Sequence, residues 1–138
     1  MYIKRATRQD LPAVLALARR YPDKLFAIKD YLFNSRDIAL QARTDTGELV
    51  GFIWGGLMAG NRLMYIDMAL VDPEYVSHGV FQALAEALEL QAQKRGVKSC
   101  FAVTLHDAHY PAVCKAALKR NYKSSGVAYT GLHKVLGE

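Results

Sequence analysis

The stretch from Leu63 to Gly96 constrains this chain most, because its hydrophobic period changes there within a few residues. Leu63-Met-Tyr-Ile-Asp-Met-Ala-Leu-Val71 reads as a strand, and Asp72-Pro73 ends it, since proline cannot donate to a sheet ladder. Residues 79 to 95 then place Val80, Leu84, Leu88 and Ala92 on one helical stripe, with Gly96 as the stop. A helix with one apolar stripe, fed directly by a strand, has to lay that stripe on a sheet. The loop has chemical meaning as well. It aims the first N–H groups of the helix at one spot, where the helix dipole also favours an anion, so phosphate is a natural guest. The loop is too short for a Walker loop and lacks its Lys-Ser/Thr, and its glycines lack the dinucleotide spacing.

The rest of the chain supplies the sheet. Residues 1 to 6 alternate as a short strand, and Asp10 offers an N-cap to a helix over about 10 to 20 with Pro12 in its first turn. Tyr21-Pro22-Asp23 breaks that helix, and Leu25 to Phe33 carries a second apolar segment at helical spacing. From Ile38 the period becomes two, and the turn Asp45-Thr-Gly-Glu between Ile38–Arg43 and Leu49–Leu57 predicts a hairpin. After the long helix, residues 97 to 105 predict a strand, 110 to 120 a basic helix, and 125 to 135 a final strand. The order βααβββαβαβ, without repeat or linker, predicts an α/β (α+β) domain over residues 1–138 with a mixed sheet flanked by helices.

Composition narrows the class. A chain of 138 residues, 51% apolar and 22% charged, can bury a core of its own, removing roughly two-thirds of its unfolded surface from water. Cys100 and Cys114 form no CxxC pair, which disfavours a disulfide framework and a zinc site and predicts a reduced, cytoplasmic setting. No signal-peptide h-region and no membrane span is expected, so no membrane partner is either. Lys plus Arg outnumber Asp plus Glu by 18 to 13, a formal +5, which favours anionic partners. The basic residues are scattered and lack the interleaved aromatics of a nucleic-acid motif, so nucleic acid is disfavoured and would show itself by steep salt dependence.

The element order and the run Val71-Asp-Pro-Glu-Tyr-Val-Ser-His-Gly-Val-Phe81 resemble the GNAT family of N-acyltransferases, whose signature is Val-x-Pro-x-x-Arg/Gln-x-x-Gly-x-Gly/Ala. Val71, Pro73 and Gly79 match in register, and Tyr75 is common at its position. The resemblance extends from Ile3-Lys-Arg-Ala-Thr-Arg-Gln-Asp-Leu to the terminal strand at Gly126 to Leu136. It implies a mostly antiparallel sheet of six to seven strands with about four helices. It also implies acetyl-CoA as co-substrate, lying in a V between the splayed fourth and fifth strands with its pyrophosphate on Val76, Ser77, His78, Gly79, Val80 and Phe81. Amide groups around Ala69, Leu70 and Val71 would polarise the thioester. Two positions depart from the signature. Val76 stands where Arg or Gln supplies a polar contact, and Phe81 stands where a small residue lets the backbone approach the ligand; its ring either enters that space or turns into the core. Further along, His109 stands where the family's Asn opens a helix, and the tyrosine that protonates the leaving thiolate falls at Ala116 or Ala117, leaving Tyr110, Tyr122 or a water for that task.

Acyl transfer to an amine needs a base that reaches the attacking nitrogen. On a strand of period two, Tyr65, Asp67 and Ala69 share one face, and the resemblance implies a carboxylate on this strand as base, so Asp67 and Tyr65 are the catalytic candidates. The acceptor would be a small-molecule or peptide amine, and Asp23, Asp30 and Asp37 would suit a cationic one if they converge at the mouth of the site. His106 and His109 bracket Asp107, but no third ligand has suitable spacing and no metal is expected; His133 reads as structural, and Trp54 as a half-buried strand residue. No Ser/His/Asp or Cys/His arrangement stands out. The alternative is a GNAT-fold protein that has lost catalysis and serves as a binding or structural part of a larger assembly, such as a bacteriophage particle; a homo-oligomer is open to either reading.

Overall fold

The structure is a computed structural model, and it describes residues 1–21, 37–58, 60, 62–104, 123–124 and 130–136. Among the described residues seven strands form one sheet: β1 (Tyr2–Arg5), β2 (Ile38–Arg43), β3 (Leu49–Met58), β4 (Leu63–Val71), β5 (Ser99–Thr104), β6 (Lys123–Ser124) and β7 (Thr130–Val135). Their order is β1-β2-β3-β4-β5-β7-β6, and among these pairs only β4 with β5 is parallel. The crossover that makes it parallel is the helix α2 (Val80–Lys94). A shorter helix, α1 (Leu11–Ala18), follows a 3-10 turn at Arg8–Asp10. The segments expected to be helical at 25–33 and 110–120 lie outside the described residues, as do 125–129, so the last strand begins at Thr130.

The two faces of the sheet carry separate apolar clusters. On one, Ile38, Leu40, Ala42, Ile53 and Met64 pack under Val80, Leu84, Leu88 and Ala92 of α2, the stripe expected from the sequence. On the other, Ala39, Phe52, Trp54, Met68 and Leu70 pack against Val14, Leu17 and Ala18 of α1. Helix α2 sits low because Gly51 has no side chain. A Cβ there would stand 2.6 Å from Val80 Cγ1 and 2.9 Å from Leu84 Cδ1. At its far end Gly96 adopts φ +85°, with Val97 N–H donating to Ala92 O and Gly96 N–H to Gln93 O, the paired bonds of a Schellman stop.

Asp10 precedes α1 but does not cap it with its side chain. The 3-10 turn has already made the chain helical there, so the carboxylate turns back and accepts from the Thr7 N–H (2.8 Å) and hydroxyl (3.1 Å). It also accepts from Gln41 Nε2 (2.8 Å) and Arg43 Nη2 (3.1 Å), clipping the start of α1 to β2. Burial on its own would raise the Asp10 pKa, but the bonds from Thr7 and Gln41 and the charge of Arg43 together hold it below the usual value of 3.8. A carboxyl depressed in the native state stabilises the fold above its unfolded pKa, and that contribution is lost as the pH falls through the native value. Urea unfolding between pH 2 and 7 should therefore show a shallower acid limb for Asp10→Asn than for the parent; equal limbs would remove Asp10 as a source of acid sensitivity.

Candidate active site

The site begins with a defect in β4. Along β3, Trp54 pairs with Met68 and Gly55 with Ile66, so Asp67 is an extra residue without a partner across the ladder. A bulge of this kind reverses the alternation of faces. Before it, Met64 and Ile66 face α2; after it, Ala69 and Val71 do, while Met68 and Leu70 turn to α1. Tyr65 and Ala69 therefore lie on opposite faces, contrary to the expectation that Tyr65, Asp67 and Ala69 share one. Strict period two fails because the bulge inserts one residue between them.

At the same place β4 parts from β5. Their pairing runs from Leu63 with Ser99 to Ile66 with Ala102 and ends, although β4 continues to Val71 and β5 to Thr104. Asp72 N–H donates to Val50 O (2.8 Å) on the β3 side, so the carbonyl of Val71, antiparallel to that N–H in the same peptide plane, points toward the gap. The N–H and C=O of Ala69, two residues back, point the same way. Tyr21 crosses from the end of α1 to donate its hydroxyl to Val71 O at 2.6 Å. Burial raises the Tyr21 pKa and the Asp72 charge adds to this against the opposing effect of Arg20, which keeps the hydroxyl protonated and able to donate.

Beyond β4 the chain turns into α2 through the expected loop. The buried Asp72 carboxylate accepts from Glu74 N–H (2.9 Å) and from Arg20 Nη1 (2.7 Å), so one oxygen starts the 3-10 turn Pro73–Tyr75 and ties it to α1. His78 N–H donates to Tyr75 O (3.1 Å), and the His78 ring lies 5.7 Å from that of Tyr75. Ser77 (φ +73°) and Gly79 (φ +78°) both adopt the left-handed region, which bends the backbone into the helix. Gly79 provides no side-chain cap, a Cβ on it would meet nothing within 4 Å, and the first N–H groups of α2 have no partner within the helix. Among the residues singled out from the sequence, Val76, Ser77, His78 and Gly79 are exposed and line this loop. Val80 is buried beneath α2, so only its main chain can serve the loop. Phe81 is half-buried and packs against the core cluster under α2. Val76 is 48% exposed and brings no polar group where the signature has one. The side chain of Asp67 and all of His109, Tyr110, Ala116, Ala117 and Tyr122 lie outside what the structure describes.

Gly51, Tyr21 and Arg20 carry no local signal of these roles in the sequence. Asp72-Pro73-Glu74 did carry a signal, since Asp before Pro is a common way to open a helical turn. Tyr21 looked only like part of a helix break. Among the described residues no group of three or more His, Cys, Asp or Glu could hold a metal ion, and no helix is long and apolar enough to cross a membrane.

A bulged central strand, a neighbouring strand that parts from it and a strand-to-helix loop beside the gap are the features that the site combines. Residues 6–120 match the family model described as Acetyltransferase (GNAT) family, and the chain belongs to that family of acyl-CoA N-acyltransferases, which take acetyl-CoA as co-substrate. The fold is shared with an aminoglycoside 6'-acetyltransferase type Ii (TM-score 0.86, 21% identity, 100% of this chain and 99% of that one). It is shared as well with an aminoglycoside 6'-N-acetyltransferase complexed with coenzyme A (0.80, 18%, 100% and 98%) and with the ribosomal-protein-S18-alanine N-acetyltransferase from Escherichia coli (0.77, 18%, 96% and 90%). No curated protein sequence matches the chain.

Proposed function

We propose that this chain acetylates a primary amine by direct transfer from acetyl-CoA, with the thioester in the gap between β4 and β5 and the pyrophosphate on the loop 76–81. The observation that carries this reading is the end of the β4–β5 pairing at Ile66 and Ala102, one residue from the bulge. The gap leaves the N–H and C=O of Ala69 and the N–H of Val71 facing a slot that an amide-bearing arm can enter as a surrogate strand, while Tyr21 holds the Val71 carbonyl. The first N–H groups of α2 then meet the pyrophosphate, a contact that depends on backbone and tolerates Val76. The amine nitrogen attacks the thioester carbonyl, the C–N bond forms, the C–S bond breaks and the thiolate departs. Asp67, directly or through a water, takes the proton that the attacking nitrogen must lose. The half-buried Phe81 packs against the core cluster, and this contact supports retained donor binding over the degenerate particle protein.

Titration calorimetry with acetyl-CoA and CoA tests the donor site, and release of free CoA in the presence of an amine panel tests transfer. Absence of heat at millimolar ligand would sink the proposal. Gly79→Ala separates the loop from the rest: the new methyl meets no atom of the protein but has to adopt φ +78°. Left-handed backbone costs a non-glycine residue about 1–2 kcal/mol. The methyl also enters the space where the anion sits, so the Kd for CoA should rise about tenfold or more. An unchanged Kd would place the pyrophosphate elsewhere.

A further inference from the structure

Just outside the gap, four residues on neighbouring strands form a transverse row on the face opposite α2. Gly56 pairs with Tyr65 across β3 and β4, and Tyr65 pairs with Phe101 across β4 and β5, with ring centroids 5.8 Å apart. Asp37, the residue before β2, extends the row, because Ile38 pairs with Gly55. Its Oδ1 stands 3.7 Å from where a Cβ on Gly56 would be, so the carboxylate lies beside the glycine. All four residues are half-buried, one register step beyond Trp54 and Met68, which belong to the cluster under α1. Ile66 and Ala102, the last pair before the strands part, come next along β4 and β5.

Resting on the proposed reaction, we infer that this row is the acceptor site and that it selects an elongated amine with a second cationic group. The reacting nitrogen has to be neutral when it attacks, so a carboxylate two strands away serves an ammonium that does not react. Two strand spacings put that ammonium about 10 Å from the gap. A carboxylate offers about four acceptor positions, so Asp37 takes the ammonium alongside its other contacts. The Tyr65 and Phe101 rings give the stem between the two nitrogens an apolar floor, and Gly56 leaves the room for it.

Two probes of equal length separate the charge from the stem: 1,8-diaminooctane, which spans the row, and octylamine, which lacks the second ammonium. In CoA-release assays the parent should prefer the diamine in kcat/KM by about tenfold or more, chiefly through KM, the size expected of a hydrogen bond to a charged group. Asp37→Asn should bring the ratio close to one, and Asp37→Glu should restore part of it. The thermal midpoint of each variant checks that the fold is kept. No preference in the parent, or one that survives Asp37→Asn, overturns the assignment. If neither amine is acetylated while other amines of the panel are, the assignment is overturned; if no amine of the panel releases CoA, the proposed reaction fails, and calorimetry decides the row by itself: diaminooctane binding weakened by Asp37→Asn supports it, and absence of binding to the parent overturns it.

Discussion

Asp67→Asn is expected to reduce kcat/KM for acetyl transfer by about 10²–10⁴, the usual contribution of a positioned acid or base. Acetyl-CoA affinity should stay within about twofold, because the donor contacts assigned above are main-chain groups of other residues. The pair of results is diagnostic. A strand that had lost its shape would lose both, since the gap depends on the bulge at Asp67. A base alone is removed when turnover falls and binding holds. Equal activity of Asp67→Asn and the parent across the amine panel would assign the proton to another group.

Gly51→Val carries the second large effect, and it falls on fold and site together. The first added carbon would stand 2.6 Å from Val80 Cγ1 and 2.9 Å from Leu84 Cδ1, and valine brings two further methyls. Overpacking of this kind costs about 3 kcal/mol. Val80 and Leu84 lie on the first two turns of α2, so relief comes by lifting the end of the helix that opens onto the loop. Urea unfolding should report the loss of stability, and the Kd for CoA should rise about tenfold with it. Shortening the opposing side chain in Gly51→Val, Val80→Ala should recover about half of the stability, as complementary volumes do in a core. A double variant no more stable than the single one would locate the strain away from Val80.

Much of the scaffold was legible because its signals are local. The hairpin at Gly47, the strand ending at Asp72-Pro73 and the stripe of α2 each follow from a few adjacent residues, and each stands where the sequence placed it. The fold class followed from the order of those elements. The site was only half legible. The loop 76–81 could be found from its glycine and its place before a helix, but the bulge at Asp67 could not, since nothing in Tyr-Ile-Asp-Met-Ala distinguishes an extra residue from a regular one; only the partner strand shows it. The contacts of Tyr21, Arg20 and Asp72 span 50 to 52 positions of sequence and had no local signature at all. Asp10 shows the same limit on a smaller scale: its type fits a cap, but the preceding 3-10 turn decides what it caps.

The odd residue in β4 also fixes how long that strand has to be. Met64 and Ile66 reach one layer of the core and Met68 and Leu70 the other, in phase only because one position between them is spent on the bend. In a scan of single-codon deletions, loss of any residue from Ile66 to Met68 should therefore either turn half the strand inside out or close the slot beside β5. Loss of a residue at the Gly47 turn disturbs neither layer. The proposed proton transfer thus depends on the amino-acid identity at 67, whereas the slot beside β5 depends on the presence of a residue there, and the two can be read apart.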